Sequence, residues 1–390
     1  MDFAFSDEQK LLRETVRKLM DTHAPPEYIR RLDREQGYPY ELYDKWVEAG
    51  LLSMPFPEEY DGLGGSVIDL TIIAEELARK SPDFFMSYAG SVFTGLNIMR
   101  KGTEEQKQTW LPKIFAGDVR MAIAISEPEA GSDIGAMRTF AVRDGDEYVV
   151  NGQKVFTTGA HDADFVWLAV RTDPDAPKHK GISILIADTK DPGFSWTPII
   201  TVGGGHHTNA TYYNDVRVPA SMLVGLENHG WKLITTQLNF ERVALGPAGK
   251  ISKAYDPVLA WARETTAADG RKVIDHEWVK LNLARVRAKL EAAELFNWRV
   301  ASLAEHGDPN PADASAMKVY GTELNLEALR LLMEVVGPFA TVADGAGAVL
   351  AGTLDRQYKG AVVGTFGGGV NEVQREIIAT VGLGLPRVPR

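Results

Sequence analysis

Residues 237–249 read QLNFERVALGPAG and set a carboxylic acid where a helix would bury hydrocarbon. At 3.6 residues per turn, Glu241 shares a face with Ile234, Leu238, Leu245 and Ala248. An acid in such a stripe has two readings. It is held by a neighbouring base, although adjacent helix side chains diverge and Arg242 is therefore no obvious partner. Alternatively it abstracts protons, because desolvation raises a carboxyl group from about 4.3 toward neutrality. The stretch by itself leaves both open.

Other chemistries can be set aside. The chain has no cysteine, which removes disulfides, thiolate nucleophiles and cysteine-ligated metal clusters. The one close histidine pair, His206 and His207, is adjacent and would diverge on a strand, so it lacks metal-ligand spacing. Glycine-rich stretches recur (GLGGSV, TVGGGHH, DGAGAVLAG, TFGGGVNE), but none completes G-x-G-x-x-G between a strand and a helix. LGPAGKI lacks the first glycine and the hydroxyl residue of a P-loop, and no serine sits in a G-x-S-x-G elbow. With 42 basic and 53 acidic residues and no block of like charge, neither nucleic acid nor an anionic membrane is an expected partner. The start, MDFAFSDEQK, resembles no signal or transit peptide, and no apolar run reaches membrane-spanning length, so the expected location is the cytoplasm.

The elements that must position Glu241 follow the order α, β, α. Helix-period segments such as LLRETVRKLM and IDLTIIAEELARK fill residues 1–118, with capping-box starts at Ser6 to Gln9 and Thr103 to Gln106. From 119 to 226 the pattern alternates, and Asp144-Gly145 and Asn151-Gly152 both read as hairpin turns. From 227 to 390 the helical period returns. Residues 124–136, AISEPEAGSDIGA, are a strand end running into a tight loop whose N–H groups and Ser132 hydroxyl can meet an anionic or heterocyclic ligand. A plain polar connection remains the other reading of that loop.

The same string resembles the first signature of the acyl-CoA dehydrogenase family, and NGQKVFTTG resembles the family strand N-G-x-K-x-W-I-T. The resemblance covers nearly all of the chain. From about residue 120 onward NGQKVFTTGAHDADFVWLAVRTDP, KHKGISILIADTKDPGFSWTPI and TFGGGVNEVQREIIA resemble the actinobacterial steroid-CoA branch, which acts in cholesterol side-chain breakdown. The fold implied is α+β: an N-terminal helical domain, a middle β-barrel or sandwich domain and a C-terminal four-helix bundle. The cofactor implied is FAD, with Ile125, Ser126, Phe156 and Thr158 around the flavin, Ser132 at a phosphate, and Gly368, Gly369 and Glu372 also on the cofactor. An aromatic at 156 would exclude water from the ring, and a hydroxyl at 158 would stabilise charge arriving with hydride. Asn239 and Arg242, with Ser132, would hold the acyl-CoA substrate.

Many family members carry the catalytic glutamate in a C-terminal Y-E-G segment, where this chain has Gly367-Gly368-Gly369. Glycine takes no proton. Other branches place the base on a helix in an E-R pair, which resembles Glu241-Arg242 here. The reaction implied is α,β-dehydrogenation of an acyl-CoA to a trans-2-enoyl-CoA, with an electron-transfer flavoprotein as acceptor. A short or medium branched-chain acyl-CoA dehydrogenase, an oxidase-type flavoenzyme and a non-catalytic partner subunit are the alternatives. Family homotetramers clamp the flavin diphosphate with R-x-x-F-G, whereas GRKVIDHEW keeps Arg271 but has Ile274 and Asp275. An acid beside a diphosphate is unfavourable, so the expected tetramer is α2β2 with a paralogous subunit.

Overall fold

The computed structural model describes residues 4–35, 37–243, 247–305, 307 and 309–387. Six helices come first: α1 (Asp7–His23), α2 (Pro26–Glu35), α3 (Tyr40–Glu48), α4 (Val67–Lys80), α5 (Pro82–Lys101) and α6 (Glu104–Phe115). Both expected capping boxes form. Ser6 and Gln9 exchange backbone-to-side-chain bonds of 3.1 and 3.2 Å, and so do Thr103 and Gln106. Eight strands follow: β1 (Met121–Ala124), β2 (Phe140–Asp144), β3 (Glu147–Thr158), β4 (Phe165–Arg171), β5 (Ile182–Asp188), β6 (Phe194–Ile200), β7 (His206–Pro219) and β8 (Leu223–Val224). The chain closes with α7 (Gly230–Val243), α8 (Pro247–Glu264), α9 (Glu277–Ala304), α10 (Pro311–Val336), α11 (Thr353–Gly364) and α12 (Asn371–Ile377).

Two compact units result, and each mixes distant stretches of chain. One contains residues 22–66 and 83–238, with the whole sheet. Its strands run in the order β6-β7-β3-β2-β4-β5-β8, with β1 paired parallel to β4. Tyr148, Val150, Tyr213 and Val216 from β3 and β7 share one core with Leu168, Val170 and Leu185 from β4 and β5. Strands far apart in the order meet there, so the sheet curls over itself in the barrel manner. On the other side Trp110, Trp167, Ile184, Leu233 and Ile234 form a second core that seats the start of α7.

The hairpin expectations are half met. β2 and β3 do turn back on each other, but the two central residues are Gly145 and Asp146, one step later than expected, with Gly145 at φ +62°. Asn151-Gly152 is no turn, because β3 runs through it. A register shift between Val150 and Gly152 puts the extra residue on β7, where Asp215 adopts φ +55°. Asn151 brackets that residue, donating to Asp215 Oδ1 at 2.8 Å and accepting from its N–H at 3.0 Å. Gly152 is required by close packing, since an added Cβ would lie 2.7 Å from the Thr139 Cα. Asparagine and glycine serve a bulge as readily as a turn, and sequence does not separate the two.

The other unit contains residues 1–21, 67–82 and 239–390. Ile251, Val258, Leu283, Val286, Leu290, Leu324, Leu332 and Leu354 from α8 to α11 make its bundle core. α4 lies close against α8, where an added Cβ on Gly249 would meet the Glu75 carbonyl oxygen at 2.2 Å. α1 is fastened to α4 by Arg13 and Arg17, both bonded to the buried Glu76 carboxylate, with Arg17 Nη2 to Oε1 at 2.6 Å.

Candidate active site

On the sheet side, the loop after β1 is pinned from within. Lys154 on β3 is fully buried and donates to the Ile125 carbonyl at 3.0 Å and to Glu127 Oε1 at 2.9 Å. Glu127 also accepts the N–H groups of Arg138 at 2.7 Å and Thr139 at 2.9 Å. Burial alone would raise the Glu127 carboxyl. The Lys154 charge and these N–H donors outweigh it and hold the group below its ordinary value. Burial brings Lys154 down to about 8 against the pull of Glu127. Both ends of residues 125–139 are thereby fixed on one ion pair, while Ser132 between them is exposed.

The same pair fixes where the next strand presents its side chains. Val155 N–H donates to the Ser126 carbonyl at 2.9 Å, which joins the two predicted cofactor segments. Between Lys154 and Thr157 the register with β7 slips by one residue. In that bulge Phe156 adopts φ +59°, a left-handed conformation costly for an aromatic residue, and its ring is 60% exposed. Strict alternation would bury residue 156; the bulge buries Thr157 and turns Phe156 outward. An exposed flat ring held in strained backbone fits a planar apolar ligand. Thr158 is half-buried, with its hydroxyl 3.5 Å from that of Thr208. Ile125 is buried and Ser126 half-buried, so four of the predicted flavin residues cluster on adjoining segments.

On the helical side, Glu241 is half-buried in the last turn of α7. Two residues of the stripe that singled it out, Ile234 and Leu238, lie on the same helix. Ile234 is buried and Leu238 half-buried, but Leu245 lies outside the described residues and Ala248 belongs to α8. Pro247 opens that new helix. Arg242 is only 6% exposed. Its Nη1 donates to Asn239 Oδ1 at 2.9 Å, while Nε and Nη2 donate to the Gly368 carbonyl at 3.3 and 3.2 Å. Burial lowers the guanidinium to about 10, opposed by the neighbouring Glu241 charge.

Asn239 and Arg242, one turn apart on α7, and Gly368, 126 residues further on from Arg242, are therefore one constellation. Gly368 at φ +66° and Gly369 at φ +99° form a turn between α11 and α12, and a Cβ built on Gly368 meets no described atom within 4 Å. Glu372 is exposed in the first turn of α12. Sequence reasoning passed over Lys154, Glu127, Lys318 and Asn371. Lys154 was signalled by its even-numbered phase with Tyr148 and Val150, both buried. Lys318 was signalled by its place between Ala314, Met317 and Gly321 on the inward face of α10. Among the described residues, no group of three or more acidic, histidine or cysteine side chains is placed to hold a metal, and no helix is long and apolar enough to cross a membrane.

Three family models match nearly end to end: the acyl-CoA dehydrogenase N-terminal domain over residues 6–118, the middle domain over 122–216 and the C-terminal domain over 228–383. This chain belongs to the acyl-CoA dehydrogenase family. Acyl-CoA dehydrogenase FadE29 of Mycobacterium tuberculosis (strain ATCC 25618 / H37Rv) is 51% identical over 385 residues, covering 98% of each chain. Among solved structures, the ChsE4-ChsE5 complex from Mycobacterium tuberculosis has a chain 46% identical with a TM-score of 0.91, covering 100% of both chains. The Tcur3481-Tcur3483 steroid ACAD has one 42% identical with a TM-score of 0.89, again covering 100% of both. The acyl-CoA dehydrogenase reading of the sequence and its helical, β and helical fold class both stand. Its reaction is acyl-CoA dehydrogenation, an oxidoreductase activity of a flavoprotein family.

Proposed function

We propose that this acyl-CoA dehydrogenase oxidises a steroid side-chain acyl-CoA to its trans-2-enoyl-CoA, with Glu241 as the base. The observation that carries the base is the Gly368 turn. Where many relatives hold a glutamate, this chain has a glycine gripped by Arg242, and the adjacent carboxylate on α7 is Glu241. Its carboxylate takes the proton from the carbon α to the thioester carbonyl, and the β-hydrogen leaves with its electron pair. FAD, when bound, supplies the acceptor for that hydride.

The remaining roles belong to this chain's own groups. Ile125, Ser126, Phe156 and Thr158 hold the flavin ring: Phe156 excludes water from one face and the Thr158 hydroxyl donates to it. Ser132 binds a phosphate, and Gly368, Gly369 and Glu372 complete the cofactor cradle. Asn239 and Arg242, already bonded to each other, orient the thioester's pantetheine end. The domains that carry these parts span 1–118, 119–226 and 227–390.

The steroid assignment is supported by the steroid enzyme among the similar structures. An α2β2 tetramer with a paralogous subunit is supported by the two-component complexes and by the clamp segment itself. Arg271 is bonded in its own chain to Asp269 at 2.8 Å and to His276 at 3.0 Å, Ile274 packs on the bundle core, and Asp275 is exposed. Electrons pass on to an electron-transfer flavoprotein in the cytoplasm. The decisive experiment is Glu241→Gln in the flavin-loaded protein, assayed on steroid side-chain thioesters with a dye acceptor. Turnover should fall by roughly 10²–10⁴ with flavin retained; near-normal turnover excludes Glu241 as the base.

A further inference from the structure

Lys318 on α10 is 2% exposed, and it ends inside the turn that carries the three glycines. Its Nζ donates to the Gly369 carbonyl at 2.6 Å, to the Thr365 carbonyl at 3.1 Å and to Asn371 Oδ1 at 2.6 Å. All three acceptors are neutral oxygens. Asn371 is held in turn by Thr322 and Glu323, each at 3.2 Å. Arg242 meets the same turn from α7 through the Gly368 carbonyl. Two buried cations thus share one short run of backbone, and the Arg242 charge acts to lower Lys318.

The residues between them explain why such an arrangement is needed. Consecutive glycines have the widest choice of backbone conformations and lose the most freedom on ordering. Gly368 and Gly369 both sit at positive φ, and Gly368 has no side chain to anchor it. Charge-assisted hydrogen bonds from two fixed cations to the Thr365, Gly368 and Gly369 carbonyls restrict that choice. The cations also turn the carbonyls inward.

We propose that Lys318 is a positioning residue for the reaction: with Arg242 it fixes the Gly367–Gly369 turn in the one shape that serves cofactor and acyl-CoA. The inference rests on the reading of Gly368 and Gly369 as part of the site. It assigns the shape of the turn to α10, an element that supplies none of the reacting groups. Lys318 faces Arg242 from α7, Glu323 from its own helix and Glu372 from α12. Burial is the leading cause of its lowered value of about 8, so it loses its proton within a range open to experiment.

The test uses flavin-loaded protein with free coenzyme A as the probe. Lys318→Met keeps the apolar stem and removes charge and donors. It should weaken coenzyme A binding about tenfold and speed amide exchange at residues 366–370, leaving the middle of α9 unchanged. Lys318→Arg should recover most of both. In the wild type, protection of residues 366–370, corrected for intrinsic rates, should fall as pH rises from about 7 to 9. Unchanged binding and exchange in Lys318→Met, an arginine variant no better than the methionine one, or flat wild-type protection each overturn the proposal. Should Lys318→Met not fold, the wild-type titration decides alone. None of these readouts needs turnover, so a failure of Glu241 as base, seen with Glu241→Gln, is separable.

Discussion

Arg242 donates two hydrogen bonds to the carbonyl oxygen of Gly368, at 3.3 and 3.2 Å, across 126 residues of sequence. The contact joins the helix that carries Glu241 to the three-glycine turn before α12. A lysine at 242 would keep the charge but not the fork that reaches Gly368 and Asn239 together. Arg242→Lys should therefore leave the protein folded, raise KM for acyl-CoA and cost on the order of 1.5–3 kcal/mol in stability. Steady-state kinetics and urea denaturation on the same preparation check both parts.

The Lys154–Glu127 pair gives a second prediction. Lys154→Met leaves a carboxylate that is 8% exposed without its cation. Breaking a buried pair on one side costs roughly 3–5 kcal/mol, and removing both charges costs less. Adding Glu127→Gln should recover part of the loss, a non-additivity that a double-mutant cycle in chemical denaturation measures.

Phe156 offers a separation of stability from function. Its φ of +59° is natural for glycine and strained for an aromatic residue. Phe156→Gly should raise the stability of flavin-free protein by about 1 kcal/mol while lowering flavin retention. If the glycine variant is less stable without flavin, the strain reading is wrong. Calorimetry of the apo form and absorbance of bound flavin report the two effects.

Glu75 predicts a pH dependence of its own. It is 3% exposed on α4, and burial, opposed by the Arg13 charge and reinforced by those of Glu294 and Glu76, moves its carboxyl from 4.5 up to about 8. A raised acid means the folded state holds the proton where the unfolded state has lost it. Between those two values stability therefore falls as pH rises. Glu75→Gln removes the titration. The variant should lie close to the wild type near pH 5 and exceed it by roughly 4 kcal/mol near pH 9. Parallel stability curves across that range contradict the assignment.

Much of the fold was legible because it is local. Capping boxes at Ser6 and Thr103 need only residues three apart, and the helix periods of α9 and α10 follow from one-dimensional spacing. The strand pattern from 140 to 219 was equally clear, though not its punctuation. Asn151-Gly152 became a bulge because its partner strand, 64 residues on, carries the extra residue Asp215.

Sequence by itself set aside thiol and metal-cluster chemistry by residue type and spacing, and its motifs carried the class of reaction through their resemblance to the acyl-CoA dehydrogenase family. Composition and local periodicity left Glu241 open between an ion-paired acid and a base. Only the tertiary structure decided that Arg242 serves the Gly368 carbonyl, that Lys318 and Asn371 hold the same turn, and that a bulge turns Phe156 outward. The reason is that a buried charge must find its partner wherever packing brings one. Such partners lie on other helices and strands, at separations no local pattern records.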